Sequence, residues 1–298
     1  MSDHDIEVQD DNEQADKNII SSTLIEPLIS NLNLSAGDII ETSSAEGLHL
    51  LRVTLRKIRA WIGVSKIQLS EPQIEEVRGH VRWLSAITGP ARDADVQLAK
   101  SLQAEIQLPK SAKEKLKKQQ QDCYQHIATE LKSERFSKFI ALLTAISAEI
   151  NVDDQLTVEH IYSRLIKLVK RSLKQGDELH VGSEDEAFHE VRKLLKKLRY
   201  TLGFLMQLAP EKRLAKTEKS LKLIQEYLGT FQDQTVLAKE LDQKASELMQ
   251  TSEPDQQELF ALGVSTGETR SHIQSLKSGF LQAYRKFSKA VTKNLLSE

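Results

Sequence analysis

The sequence predicts an all-α protein made from two copies of one helical unit, and three observations carry that prediction. Glycine and proline are scarce, at 12 and 6 of 298 residues. Leu, Ala, Glu, Lys and Gln dominate instead, which are good helix formers, and no alternating Val, Ile or aromatic runs compete as strands. The third observation is a repeat. Shifted by 140 residues, positions 46–96 meet 186–236 with eleven identities in 51, where average residue usage gives about three by chance. His49 falls on His189, Arg52 on Arg192, Leu55 on Leu195, Lys57 on Lys197, Arg59 on Arg199, Gly63 on Gly203, Gly89 on Gly229 and Asp93 on Asp233.

Each element follows from local pattern. The first helix of the first copy is "HLLRVTLRKIRAWIGVSK", His49 to Lys66, with five basic residues and no acid. At 100° per residue, Arg52 and Arg56 lie within about 60° of His49, and Lys57 and Arg59 flank them at about 80°. Leu51, Leu55, Ile58, Trp61 and Ile62 take the opposite side, so the helix has a basic face and an apolar face. The second copy, "HEVRKLLKKLRYTLGFLM", sets Arg192, Lys193, Lys196, Lys197 and Arg199 around His189 in the same way. Breaks are expected at "LSEPQ" (69–73) and "APEKR" (209–213), with a capping box from Ser70 and Gln73. "TGPARDADV" (88–96) and "LGTFQDQTV" (228–236) are each expected to end the second helix at a glycine. Further helices are predicted near 111–133, 135–149, 157–175 and 270–295.

Charge divides the chain. Residues 1–46 hold eleven acids and one base, leaving the remainder with 40 bases against 32 acids. The predicted organisation is an acidic, partly disordered N-terminal tail (1–46) with apolar positions in 18–46 able to dock, a first repeat (47–150), a linker (151–156) and a second repeat (157–298). The opening residues have no basic n-region with an apolar h-region, and "FIALLTAISAEI" (139–150) is too short and too polar to span a bilayer. Cys123 is the sole cysteine, so no intrachain disulfide or cysteine-based metal site is available. These features describe a cytoplasmic protein without membrane association.

Most charge runs are solvated faces. This one mixes no signs, unlike ordinary surface helices, and it occurs twice with histidine at the same point. Like charges gathered on one groove repel each other unless a polyanion neutralises them, so binding of an anionic polymer is the expected role.

The pattern H-x2-R-x3-[RK]-K-x-R in each half, followed by G-x3-D-x2-V, resembles the CHAD family, the conserved-histidine α-helical domains. The resemblance covers roughly residues 47–296. It implies two helical bundles related by a pseudo-twofold axis, a central basic cavity that binds inorganic polyphosphate, and association with polyphosphate granules. It also implies the ligands, namely His49, Arg52, Arg56, Lys57 and Arg59 with His189, Arg192, Lys193, Lys196, Lys197 and Arg199. Arg82 and its counterpart Lys222 lie further along each copy, and Arg164, Lys167, Lys170 and Arg171 form a weaker basic run before copy two. The family's Arg-Asp pair stands as Arg92-Asp93 in copy one but as Gln232-Asp233 in copy two, which weakens a binding role for Arg92. Polyphosphate-metabolising enzymes and granule proteins are the candidate further partners.

Other classes fit less well. Some CHAD proteins carry a CYTH triphosphatase domain, but its E-x-E-x-K motif is missing, so a stand-alone CHAD unit is expected. No P-loop, H-E-x-x-H motif or carboxylate cluster among the basic residues supports catalysis, a metal or a cofactor, and a non-enzymatic binding protein is expected. A nucleic-acid binder is the alternative, since phosphate contacts look the same from sequence. Base reading wants a recognition helix or interleaved aromatics, and neither is apparent.

Overall fold

The computed structural model describes residues 4–102, 110–149, 156–250 and 256–296. Among these the chain forms ten α-helices and a closing π-helical turn, and no strand. The helices fall into two compact units, residues 1–160 and 161–298. Most of the expected linker, 151–155, lies outside the described residues.

The first unit contains α1 (His4–Thr42), α2 (Ala45–Val64), α3 (Glu71–Ile87), α4 (Gly89–Leu102), α5 (Lys110–Leu131) and α6 (Glu134–Glu149). The apolar positions expected to dock in 18–46 do so from residue 24, as part of one long helix. Leu24, Ile25, Leu28, Leu32, Ala36 and Ile39 recur at helical spacing and are all at most 4% exposed. They pack α1 against α2, α5 and α6. Glu26, Asp38 and Glu41 project to solvent from the other side. At the junction, Ser43 adopts φ 51° and ends α1, and the Ser44 hydroxyl accepts from the Gly47 amide at 2.9 Å to cap α2. A Cβ on Gly47 would meet the Asp38 Cβ at 2.8 Å, so only glycine lets α2 cross α1 this closely.

Two expected breaks occur, and the capping box of Ser70 and Gln73 opens α3. The glycine stops differ. Gly89 starts α4 rather than ending α3 in a left-handed turn, and Gly229 lies inside α9, which runs unbroken over Lys212–Met249. The neighbours explain the difference. Pro90 has no amide to extend α3, whereas Thr230 continues the ladder and its hydroxyl bonds back to the Glu226 carbonyl. His80 of α3 stacks on Phe139 of α6, with centroids 5.0 Å apart, and its Nδ1 is buried without a hydrogen-bond partner.

The second unit holds α7 (Val158–Asp177), most of which lies beyond the boundary, α8 (Asp185–Leu208), α9 and α10 (Gln256–Val291), closed by the π-helical turn Thr292–Leu296. The last long helix begins well before the predicted residue 270. α9 and α10 run antiparallel and are cross-tied by Arg270–Asp242 and Lys244–Glu258. Phe188, Leu195, Leu198, Leu221, Phe231, Phe280 and Phe287 form the core, each at most 2% exposed. Tyr284 fixes α7 to α10: its hydroxyl donates to the Leu173 carbonyl at 2.9 Å, and its ring occupies the space a Cβ on Gly176 would need.

Candidate anion-binding faces

In the first unit the apolar side of α2 (Leu48, Leu51, Leu55, Ile58 and Trp61) is buried to 1% exposure or less. That burial turns the opposite side, with His49, Arg52, Arg56 and Arg59, outward. Arg52 donates through Nη1 to the Ser85 carbonyl at 3.1 Å and to the Thr88 hydroxyl at 3.0 Å. The Thr88 hydroxyl in turn donates to the Leu84 carbonyl at 2.6 Å. Arg52 is therefore held at the corner between α3 and α4, on whose first turn Arg92 sits.

These cations feel one another. Burial and then Arg56, Arg92 and Arg59 hold the Arg52 guanidinium below the usual arginine range, against the pull of Asp93. Burial, Arg56 and Arg82 do the same to Arg59. Burial first, then Arg92, Arg56 and Arg52, lower the His49 imidazole below 6.5, against Glu46. His49, Arg52, Arg56, Arg59, Arg82 and Arg92 thus form one positive cluster across three helices. Arg92 belongs in it despite the loss of its counterpart in copy two. Arg82 also lies 3.8 Å from Glu75, and Lys57 is half-buried on α2, further round from His49.

In the second unit α8 carries the equivalent residues. His189 Nδ1 lies 2.6 Å from Gln232 Oε1 on α9. Arg199 donates to Gln225 Oε1 at 3.2 Å, and Gln225 Nε2 donates to the Leu195 carbonyl at 2.7 Å. Lys193 is already engaged, 2.5 Å from Glu190 and 3.7 Å from Glu186. Its hydrogen bond to Glu190 raises its pKa. Arg192 and Lys196 are half-buried, while Lys197 and Lys222 are exposed.

Lys277 of α10, 5% exposed, pins the start of α8. Its ammonium lies 2.8 Å from Asp185 Oδ1 and donates to the Ser183 carbonyl at 2.8 Å, with the Phe188 ring 5.2 Å away. Phe188 immediately precedes His189.

The α7 run is separate. Lys167, Lys170 and Arg171 are exposed, and Arg164 is half-buried with Nε lacking a hydrogen-bond partner. Burial lowers the Arg164 pKa. Among the described contacts, α7 is tied to α10 rather than to the basic side of α8.

Sequence reasoning missed Ser85, Thr88, Gln225, Gln232 and Lys277. A signal existed for two pairs. The 140-residue offset sets Ser85 against Gln225, where identity is lost but the bond to the equivalent arginine is kept, and Arg92 against Gln232, which bonds His189. Among the described residues there is no group of three or more His, Cys, Asp or Glu placed to hold a metal ion. No helix there is long and apolar enough to cross a membrane.

The CHAD domain family model matches residues 24–242, and the chain belongs to that family. The match begins inside α1 rather than at residue 47. Two uncharacterised proteins of Mycobacterium tuberculosis, from strains CDC 1551 / Oshkosh and H37Rv, are each 26% identical over 270 residues, or 85% of this chain. The chain spans about half, 50%, of those relatives' length. The fold is similar to the crystal structure of the CHAD domain from the plant Ricinus communis, with TM-score 0.70, 21% identity and coverage of 89% of this chain and 91% of that one. It is also similar to PptA from Streptomyces chartreusis, with TM-score 0.68, 16% identity and coverage of 90% and 99%.

Proposed function

We propose that this chain binds inorganic polyphosphate through the two basic faces, without catalysing a reaction, as a cytoplasmic protein of polyphosphate granules. One observation carries the reading: His49, Arg52, Arg56 and Arg59 stand on one side of α2 beside Arg82 and Arg92, and burial first, then these neighbouring charges, lower the proton affinity of His49, Arg52 and Arg59. Such a cluster is costly while empty and is relieved by an anion bearing many charges close together. Polyphosphate supplies about one negative charge per unit and offers no base edges to read. Arginine forks suit its oxygens. The pseudo-twofold repeat with a shared basic cavity, implied by the family resemblance, is part of the proposal, as are contacts with granule proteins or polyphosphate-metabolising enzymes.

The test is titration with polyphosphate of defined length at two salt concentrations, with DNA as competitor. Affinity is expected to fall steeply as salt rises, since a bound polyanion releases its condensed counterions. Polyphosphate is expected to displace DNA. A flat salt response, or DNA binding that polyphosphate cannot compete away, refutes the assignment.

A further inference from the structure

The basic run on α7 is a charged surface that the two faces do not use. From His160 to Gly176 the sequence holds Arg164, Lys167, Lys170, Arg171 and Lys174 and no acid. Ile161, Leu165, Leu168 and Val169 are buried and fix the helix by its apolar side. At 100° per residue the five cations fall within an arc of about 120° on the other side, along about 15 Å of helix. Lys167, Lys170, Arg171 and Lys174 are exposed. Among the described residues no carboxylate pairs with any of the five. Arg164 is half-buried with Nε unpartnered, and burial is the cause that lowers its pKa, with no acid to offset it.

Helix physics does not ask for this arrangement. Lys167 with Arg171, and Lys170 with Lys174, stand at i,i+4, where like charges destabilise a helix. The dipole favours Lys174 in the last turn, but not Arg164 or Lys167 two or more turns earlier. Nor does the fold need it. The 140-residue offset sets α7 on residues 18–37 of α1, where buried Ile25, Leu28 and Leu32 meet buried Leu165, Leu168 and Ser172. The five cations meet Leu24, Pro27, Ser30, Asn31 and Leu34, and residues 18–37 hold no base. The run is therefore confined to the second copy. It is also set apart from the face beside it. Tyr284 ties α7 to α10, the Tyr162 hydroxyl donates to the Leu295 carbonyl at 3.3 Å, and the Arg213 guanidinium of α9 lies 5.3 Å from the Tyr162 ring. None of these described contacts joins the α7 cations to those of α8.

We infer that the α7 cations form an auxiliary track for the same polymer, engaged by a chain long enough to run on from the α8 face, so that the protein holds long polyphosphate more tightly than short. The inference rests on the polyphosphate reading of the faces. Charge complementarity selects the occupant. The arc carries five cations in line and no Phe, Tyr or Trp, which suits a polyanion with no bases to stack. A weak contact on the track multiplies affinity once the polymer is anchored elsewhere on the same molecule.

The test compares polyphosphate of roughly ten and roughly a hundred units on the full chain. The triple variant Lys167→Gln, Lys170→Gln, Arg171→Gln is expected to keep wild-type helical content and melting temperature, because the side chains are exposed and glutamine is a good helix former. Its affinity for the short polymer should match the wild type. Its affinity for the long polymer should fall about five- to tenfold, with the salt slope reduced by about 2, since each of three lost phosphate contacts contributes about 0.7. The charge-keeping variant Lys167→Arg, Lys170→Arg should retain the long-chain affinity. So should a control, Lys115→Gln, Lys117→Gln, Lys118→Gln, which removes the same charge from the exposed side of α5. Equal losses for both lengths, no loss for either, or the same loss in the control or the charge-keeping variant overturns the inference and leaves the polyphosphate reading standing. Loss of DNA binding with unchanged long-chain polyphosphate affinity would make the track a nucleic-acid surface and overturns it as well. A wild-type chain that binds neither length at low salt refutes the polyphosphate reading, and the track with it.

Discussion

The Arg59 guanidinium donates through Nη2 to the Ser85 hydroxyl at 3.0 Å. One repeat later Arg199 makes the corresponding bond to Gln225 at 3.2 Å. Both acceptors lie on the helix that follows, so each arginine is steered by a neutral group that leaves its charge uncompensated. Ser85→Ala is therefore expected to cost about 0.5 kcal/mol, because its bond to Arg59 is exposed, and Gln225→Ala about 1–1.5 kcal/mol, because it also removes the half-buried bond to the Leu195 carbonyl. Polyphosphate affinity should fall a few-fold as each arginine loses its preferred orientation. Denaturant melts and binding isotherms on the two variants read the two quantities separately.

Charge reversal tests the faces directly. Arg56→Glu and Lys196→Glu occupy equivalent positions opposite the apolar sides of α2 and α8. Each is expected to weaken binding at least tenfold, and the double variant should bind almost nothing while its helical content stays at the wild-type level. If one reversal abolishes binding and the other has no effect, the two copies do not share the ligand. Normal binding in both singles would mean that the faces are merely solvated.

The N-terminal helix is structural from Leu24 onward. Deletion of residues 1–42 uncovers the side of α2 that packs on α1 at Gly47, and loss of cooperative unfolding is expected by calorimetry. Leu32→Ala, at 0% exposure, should cost about 2–5 kcal/mol. A truncated chain that melts as sharply as the full one would show that α1 is dispensable.

His80 gives stability a pH dependence. Burial against Phe139, then the nearby Arg135, lowers its pKa in the folded chain, against Glu76. The unfolded chain therefore binds the proton more readily. Stability contributed by the neutral ring is complete above about pH 6.5 and is lost as pH falls through the window below it. His80→Leu is expected to flatten the decline of the melting temperature over that window. An unaltered slope would assign the acid sensitivity to other groups.

Much of this was legible in the sequence, and the failures have physical causes. The helical class, the basic sides of α2 and α8 and the Ser70 cap follow from periodicity and spacing, which are local. The apolar positions of 18–46 are legible as able to dock, but the extent of the buried stripe from Leu24 to Ile39 shows only when residues are placed around the helix rather than along the chain. Gly229 was misread because glycine permits a stop without enforcing one, and Pro90 is the residue that separates the copies. Lys277 could not be assigned, since its contact with Asp185 spans 92 positions and arises only when helices pack.

That difference at Pro90 makes the copies mechanically unequal. α9 is one uninterrupted hydrogen-bond ladder of 38 residues, about 57 Å long, so Lys222, Gln225 and Gln232 travel together as points on a rod. In the first unit the rod is cut into two segments at Thr88, and the Arg52 side chain ties α2 to the end of the first segment through the Ser85 carbonyl and the Thr88 hydroxyl. Arg52 is therefore both a cation of the face and a tie between helices. The first face thus sits beside a break between two helices, whereas the second lies along one unbroken helix.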